Sequence, residues 1–134
     1  MQYRILGKTG LKVAEIGMGT WQLSGKPWGW EIPDEQESRK TLERYFDLGG
    51  NFIDTAWVYG RHEDNEKEGR LAGEEFIGKF LKEKSLRNKV IIATKIPGKN
   101  QKWPAWKNVP ISEVFPPEYI IKMTESSLQH FQID

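Results

Sequence analysis

Cysteine is absent from the 134 residues of this chain. That excludes disulfide staples, thiol nucleophiles and thiolate metal sites, and it is compatible with a reducing compartment. No sign of charge prevails either: 20 lysines and arginines stand against 19 aspartates and glutamates, a formal net charge of +1. A surface so balanced gives no electrostatic drive toward nucleic acid or an anionic membrane. Long apolar runs are missing as well. None is long enough to span a bilayer, and the opening Met1-Gln2-Tyr3-Arg4-Ile5 lacks the apolar centre of a signal peptide. The default expectation is a cytoplasmic protein with no nucleic acid and no membrane among its partners. Apolar residues make up 37% of the chain, enough for a packed core in a chain of single-domain length.

What is present reads as strands alternating with helices. Tyr3-Arg4-Ile5-Leu6 and Leu11-Lys12-Val13-Ala14-Glu15-Ile16 flank Gly7-Lys8-Thr9-Gly10, which predicts a hairpin over residues 3–16. A strand near 16–20 carries Gly17 and Gly19, and glycine in a strand points to a close approach by backbone or ligand. Asp34, with Glu37 three residues on, has the form of a capping box that opens a helix. Leu42, Tyr45, Phe46 and Gly49 recur on one face of that helix, and Gly49-Gly50 stops it. A short strand follows at 51–55. The mixed-charge stretch from Arg61 to Arg70 reads as solvated, and helical spacing resumes over 74–83 with Phe76, Ile77, Phe80 and Leu81. Val90-Ile91-Ile92-Ala93-Thr94 is an apolar run suited to a parallel strand covered on both faces. Residues 97–117 hold five of the seven prolines and read as a long loop. Pro117 then opens a last helix whose predicted buried stripe is Ile120, Ile121, Thr124, Leu128 and Phe131.

Alternation of this kind predicts a parallel sheet. Gly17-Met18-Gly19 has neither a third glycine at the required offset nor a helix directly after it, so a dinucleotide-binding doubly wound sheet fits poorly. A (β/α)8 barrel fits better, and it brings active residues to the strands' carboxyl ends. Three such ends converge here: Gly19-Thr20-Trp21, Asp54 with Tyr59, and Lys95. A free phenol, with a pKa near ~10, is a poor proton donor to a developing alkoxide. An ammonium ion beside a phenol stabilises the phenolate, and a carboxylate can hold that ammonium in place. Asp, Tyr and Lys together can therefore protonate a carbonyl oxygen while a cofactor, the only source of hydride, reduces its carbon. The same residues also allow an ordinary Asp–Lys ion pair beside a packed tyrosine.

Tyr3 to Val13, Gly17-Met18-Gly19-Thr20-Trp21, Asn51-Phe52-Ile53-Asp54-Thr55-Ala56, Val58-Tyr59-Gly60 and Ala93-Thr94-Lys95 together resemble the aldo-keto reductases, over nearly the whole chain and in the family's motif order. The resemblance implies NADPH-dependent reduction of an aldehyde or ketone, a small-molecule carbonyl, on a (β/α)8 barrel. It implies a catalytic set of Asp, Tyr, Lys and His, of which Asp54, Tyr59 and Lys95 match the first three. Gly19, Thr20 and Trp21, with Asp54, match the segments lying against the nicotinamide. Trp21, Trp28 and Tyr59 are the expected substrate contacts. Trp30, Trp103 and Trp106 are read as loop packing or as further pocket walls.

Two departures qualify the match. Gly73-Glu74 stands where a Ser-Glu pair is common, which reads as a loop variation. The family's catalytic His lies at the end of the fourth barrel strand, beyond Asp134. His62 falls in the charged stretch and His130 on the last helix, where a solvated ring is expected. A barrel takes roughly 200 residues or more, so residues 1–134 read as the amino-terminal part of one barrel domain, about three βα units with an amino-terminal hairpin. The expectation is a chain that alone binds NADPH weakly, is inactive, and self-associates or pairs with a carboxyl-terminal half through its open third strand. Two other readings compete: a non-enzymatic interaction or regulatory module on the same scaffold, and a sugar-binding module built on the tryptophans.

Overall fold

The computed structural model describes residues 1–23, 34–61, 71–99 and 109–133. Strands β1 (Tyr3–Ile5) and β2 (Lys12–Ala14) form the expected antiparallel hairpin, with Tyr3 opposite Ala14 and Ile5 opposite Lys12. The Leu6 N–H donates to Leu11 O at 2.9 Å and closes its loop. Asn51 fastens the hairpin to the rest of the chain: its Oδ1 accepts from the Ala14 N–H at 2.7 Å and its Nδ2 donates to Lys12 O at 2.9 Å. Because Asn51 immediately precedes β4 (Phe52–Asp54), the hairpin lies at the amino-terminal end of that strand.

A second sheet runs β3 (Met18–Gly19), β4, β5 (Ile91–Ala93), parallel throughout. Helix α1 (Glu35–Asp47) links β3 to β4, and α2 (Gly73–Glu83) lies between β4 and β5. Parallel neighbours need such crossovers, since a tight turn can join only antiparallel strands. Asp34 caps α1, its side chain accepting the Glu37 N–H at 2.7 Å. Gly49 ends the helix with φ +87°, a conformation in which a Cβ is strained.

Side chains alternate along β4, so Ile53 faces the helices while Phe52 and Asp54 face the other side. Ile53 packs with Leu42 of α1, with Phe76, Ile77, Phe80 and Leu81 of α2, and with Val90 and Phe131, all buried. Phe46 stacks on Phe80, centroids 6.0 Å apart, which joins α1 to α2. At their rims Lys84 pairs with Glu43 at 2.7 Å and Arg39 with Glu83. Gly17 owes its lack of a side chain to Phe52, whose ring carbon would stand 2.9 Å from an added Cβ.

Several expectations are corrected. The 97–117 stretch contains a short helix, α3 (Ile111–Val114), whose last carbonyl accepts from the Lys99 N–H at 3.0 Å. On α4 (Pro117–Phe131) the buried residues are Met123, Ser127 and Phe131, at four-residue spacing. Of the expected stripe only Phe131 is fully buried, and Ile121 is 60% exposed. The stripe is turned because α4 packs on Gly78 of α2 through Phe131, which leaves Ile120 and Ile121 facing away. Gly73-Glu74 is no loop variation: Gly73 starts α2 one residue before the expected helix, and it and Glu74 are both buried. The strand edges are shorter than expected, with β5 covering 91–93 only. Trp28, Trp30, His62, Trp103 and Trp106 lie outside the described residues.

Candidate active site at the carboxyl ends of the parallel strands

Register puts Gly19 beside Asp54 and Asp54 beside Ala93. Two residues beyond Ala93 comes Lys95, on the same side of the sheet as Asp54 by the two-residue alternation, and two beyond Gly19 comes Trp21, which opens a single 3-10 turn over Trp21–Leu23. The backbone continues its pairing past the strands: the Thr20 N–H donates to Asp54 O at 3.1 Å, and the Thr55 N–H to Ala93 O at 2.9 Å. The buried Thr20 adds its hydroxyl to Asp54 O, also at 3.1 Å. Extended pairing therefore carries Asp54 and Lys95 to the rim, while Trp21 reaches it on the 3-10 turn that follows Thr20.

The Lys95 ammonium lies 2.6 Å from Asp54 Oδ1 and 2.7 Å from the carbonyl of Thr55. It also stands over the Tyr59 ring, 5.2 Å from its centroid, close enough for a cation–π attraction. Tyr59 in turn stacks on Trp21, centroids 5.9 Å apart and planes within 9°. The Asp54 and Lys95 side chains are 48% and 52% exposed, so the pair is open to solvent and to ligand. Among the described residues, an added Cβ on Gly19 would meet nothing within 4 Å. Gly19, Trp21, Asp54, Tyr59 and Lys95 are thus brought together at one end of the sheet, with Thr20 buried beneath. Chemically the group offers an ammonium between a carboxylate and a phenol, beside a flat aromatic wall.

A second polar group lies next to it, and the sequence reading missed it. Glu74 is wholly buried. Its Oε1 accepts from the Thr94 hydroxyl at 2.6 Å, and its Oε2 lies 2.8 Å from His130 Nδ1. His130 is therefore not a solvated ring. Its Nε2 lies 2.9 Å from Arg61 Nη2, and Arg61, expected in the solvated stretch, lays its guanidinium 4.2 Å above the Trp57 ring centroid. A signal for Glu74 was present: it sits three residues before Ile77 and seven before Leu81, on the buried face of α2.

A parallel sheet with crossover helices, the hairpin at its amino-terminal end and a polar rim at its carboxyl ends defines an α/β protein of (β/α)8-barrel type. The chain belongs to the aldo/keto reductase family, whose model matches residues 15–134. It is 34% identical over 134 residues to the aldo-keto reductase YhdN of Bacillus subtilis, a match covering all of this chain and 35% of that protein. It is 36% identical over 88 residues to the aryl-alcohol dehydrogenase [NADP(+)] of Phanerodontia chrysosporium, covering 64% of this chain and 20% of that one. Among solved structures, the holo form of the aldo-keto reductase AKR11C1 from Bacillus halodurans superimposes with a TM-score of 0.67 at 30% identity, over 100% of this chain and 37% of the other. The chain thus spans about a third of the length of the Bacillus relatives it matches.

Proposed function

We propose that these residues form the proton-donating part of an oxidoreductase site that reduces an aldehyde or ketone with NADPH. The observation carrying the reading is the Lys95 ammonium, held 2.6 Å from the Asp54 carboxylate and placed over the Tyr59 ring. Family membership supports the oxidoreductase type, and the Phanerodontia relative is by name an NADP enzyme. The rim fits the nicotinamide end of such a cofactor. Among the described residues nothing crowds Gly19, and the stacked Trp21 and Tyr59 give the rim an aromatic wall. When bound, the cofactor supplies the hydride that a carbonyl carbon requires.

In this reading Tyr59 gives its phenolic proton to the carbonyl oxygen as negative charge gathers there. The Lys95 ammonium stabilises the phenolate left behind, and Asp54 keeps that ammonium from turning out to solvent. Thr20 holds the Asp54 main chain. Trp21 borders the space a substrate would enter. Replacing Tyr59 by Phe leaves the ring and its stacking but removes the proton. Carbonyl reduction by the protein is expected to fall by about 10²–10⁴-fold, with the NADPH dissociation constant unchanged. Unchanged turnover in Tyr59→Phe would mean that the donor lies elsewhere.

Residues 1–134 are further read as the first part of one barrel domain. Affinity for a dinucleotide comes largely from its phosphates, whose charged contacts are individually strong, and the rim described here reaches only the nicotinamide end. A polypeptide of these residues alone is expected to bind NADPH weakly, to leave an aldehyde unreduced, and to associate through the edge of β5. NADPH fluorescence titration of the monomeric polypeptide checks this, and tight saturable binding would refute it.

A further inference from the structure

Tyr59 and Lys95 arrive on different loops, after different strands, yet the proposed chemistry needs the phenol and the ammonium at a set separation. Lys95 sits over the face of the tyrosine ring, 5.2 Å from its centroid, so the relative position of the two loops has to be held from behind. The first turn of α2 touches both. The Gly73 N–H donates to Tyr59 O at 2.8 Å, which anchors the tyrosine's own main chain. The next residue, Glu74, accepts from the hydroxyl of Thr94, the residue before Lys95, at 2.6 Å.

We propose that Glu74, with Thr94 and His130, is a positioning residue that sets the Tyr59 phenol relative to the Lys95 ammonium; the proposal rests on the reading of Tyr59 as proton donor. Glu74 is 0% exposed and cannot touch a substrate. Both of its oxygens are engaged, one by Thr94 and the other by His130 Nδ1. A buried carboxylate that gives up either partner is left undercompensated in a medium that solvates charge poorly, so this side chain resists displacement. Its place in the first turn of α2 adds the favourable end of the helix dipole.

His130 extends the clamp to the far side of the tyrosine loop. Glu74 Oε2 lies 2.8 Å from Nδ1, and Arg61 Nη2 stands 3.0 Å from Nδ1 and 2.9 Å from Nε2, so the ring is held between the carboxylate and the guanidinium. Arg61 Nε donates to Trp57 O at 2.9 Å, and Trp57 Nε1 donates to Ser126 Oγ of α4 at 3.1 Å. Tyr59, midway between residues 57 and 61, is therefore bracketed by two contacts that run back to α4, from Trp57 and Arg61, and by two to α2, the Gly73 N–H on Tyr59 O and Arg61 Nη2 on Glu75 Oε1 at 3.2 Å. The buried carboxylate is the point where this bracket meets the Lys95 strand.

The test compares Tyr59→Phe, Glu74→Gln, Thr94→Val and Thr94→Ser in the protein. Thr94→Val keeps shape and loses the hydroxyl donor, whereas Thr94→Ser keeps the donor. Small misplacements of reacting groups cost rate without costing binding, so kcat is expected to fall about tenfold or more in Thr94→Val and Glu74→Gln. The KM for the carbonyl and the NADPH dissociation constant stay constant, and Thr94→Ser retains kcat. A second readout needs no turnover: nitration of Tyr59 by tetranitromethane, followed by mass spectrometry, requires phenolate and is expected to slow in the same two variants. If Tyr59→Phe loses activity while Thr94→Val and Glu74→Gln keep both kcat and nitration rate, positioning is refuted and the proton-donor reading survives. If Tyr59→Phe keeps turnover, the donor reading falls and takes the proposal with it. Should Glu74→Gln fail to fold, the Thr94 pair decides: equal losses in Val and Ser, or a loss in Val with nitration unchanged, would overturn the proposal.

Discussion

Gly78 lies mid-helix in α2, where α4 crosses it, and Gly78→Ala tests how closely the two helices must approach. In an open helix the change is favourable, because glycine is about 1 kcal/mol less helix-favouring than alanine. Here a Cβ would press into the carbonyl oxygen of His130 and stand 2.7 Å from Phe131 Cα and 2.8 Å from Phe131 C. Ordinary van der Waals contact begins at 3.4 Å, so the Phe131 backbone must withdraw by about 0.7 Å, the difference between 3.4 and 2.7 Å, and the His130 carbonyl by more. These are main-chain atoms of a helix and cannot rotate aside. Overpacking of this kind costs about 1–3 kcal/mol, and the rigid neighbours favour the upper end. The withdrawal also loosens Phe131 from the core and stretches the 2.8 Å contact between His130 and Glu74, worth about another 1 kcal/mol at a buried site. Setting the alanine preference against these terms leaves a net loss of roughly 3 kcal/mol, a fall in Tm on the order of 10 °C. Thermal and urea unfolding followed by far-ultraviolet circular dichroism measure it. A variant as stable as the parent, or more stable by the alanine preference, would refute the close helix approach.

Two further outcomes follow from contacts elsewhere in the fold. The Tyr45 hydroxyl accepts from the Phe52 N–H at 3.0 Å and lies 2.8 Å from Phe52 O, tying α1 to β4, so Tyr45→Phe is expected to lower the unfolding free energy by about 1–2 kcal/mol; an unchanged urea midpoint would show that tie to be idle. The hydrogen bond and charge of Lys84 hold the Glu43 carboxyl below its ordinary value of 4.5, so the stability this pair contributes is fully present above 4.5 and is lost as pH falls through the lower folded value. Glu43→Gln is accordingly expected to flatten the acid limb of the stability profile, read from urea midpoints around and below pH 4.5, and an equally steep limb would assign that titration to other groups.

The order of elements was legible because each rests on local chemistry. Asp34 places a cap, Gly49 admits a left-handed turn, and the spacing of Phe76, Ile77, Phe80 and Leu81 makes a helix wherever it stands. The rim residues could be named for a related reason. A parallel strand delivers its carboxyl-terminal residue to one edge of the sheet, so Gly19, Asp54 and Lys95 were ordered by strand ends alone. Strand alternation even puts Asp54 and Lys95 on one face before any contact is known, whereas Trp21 opens a 3-10 turn and is placed by its stacking on Tyr59.

Position in the sequence says nothing of what comes to lie opposite a side chain from a distant element. Glu74 and His130 are 56 residues apart, and although helical spacing aligns Glu74 with Ile77 and Leu81, neither residue by itself names its partner. Only the tertiary packing puts their partners in reach: the crossing of α2 and α4 at Gly78 brings the imidazole to the carboxylate, and the packing of α2 on the sheet brings it the hydroxyl of Thr94 just past β5. The same crossing rotates α4 so that Met123, Ser127 and Phe131 face inward where Ile120 and Ile121 were the more apolar choice. Hydrophobicity ranks candidate faces, but the face that is buried is the one whose shape lets two backbones meet, and here a missing Cβ makes that selection.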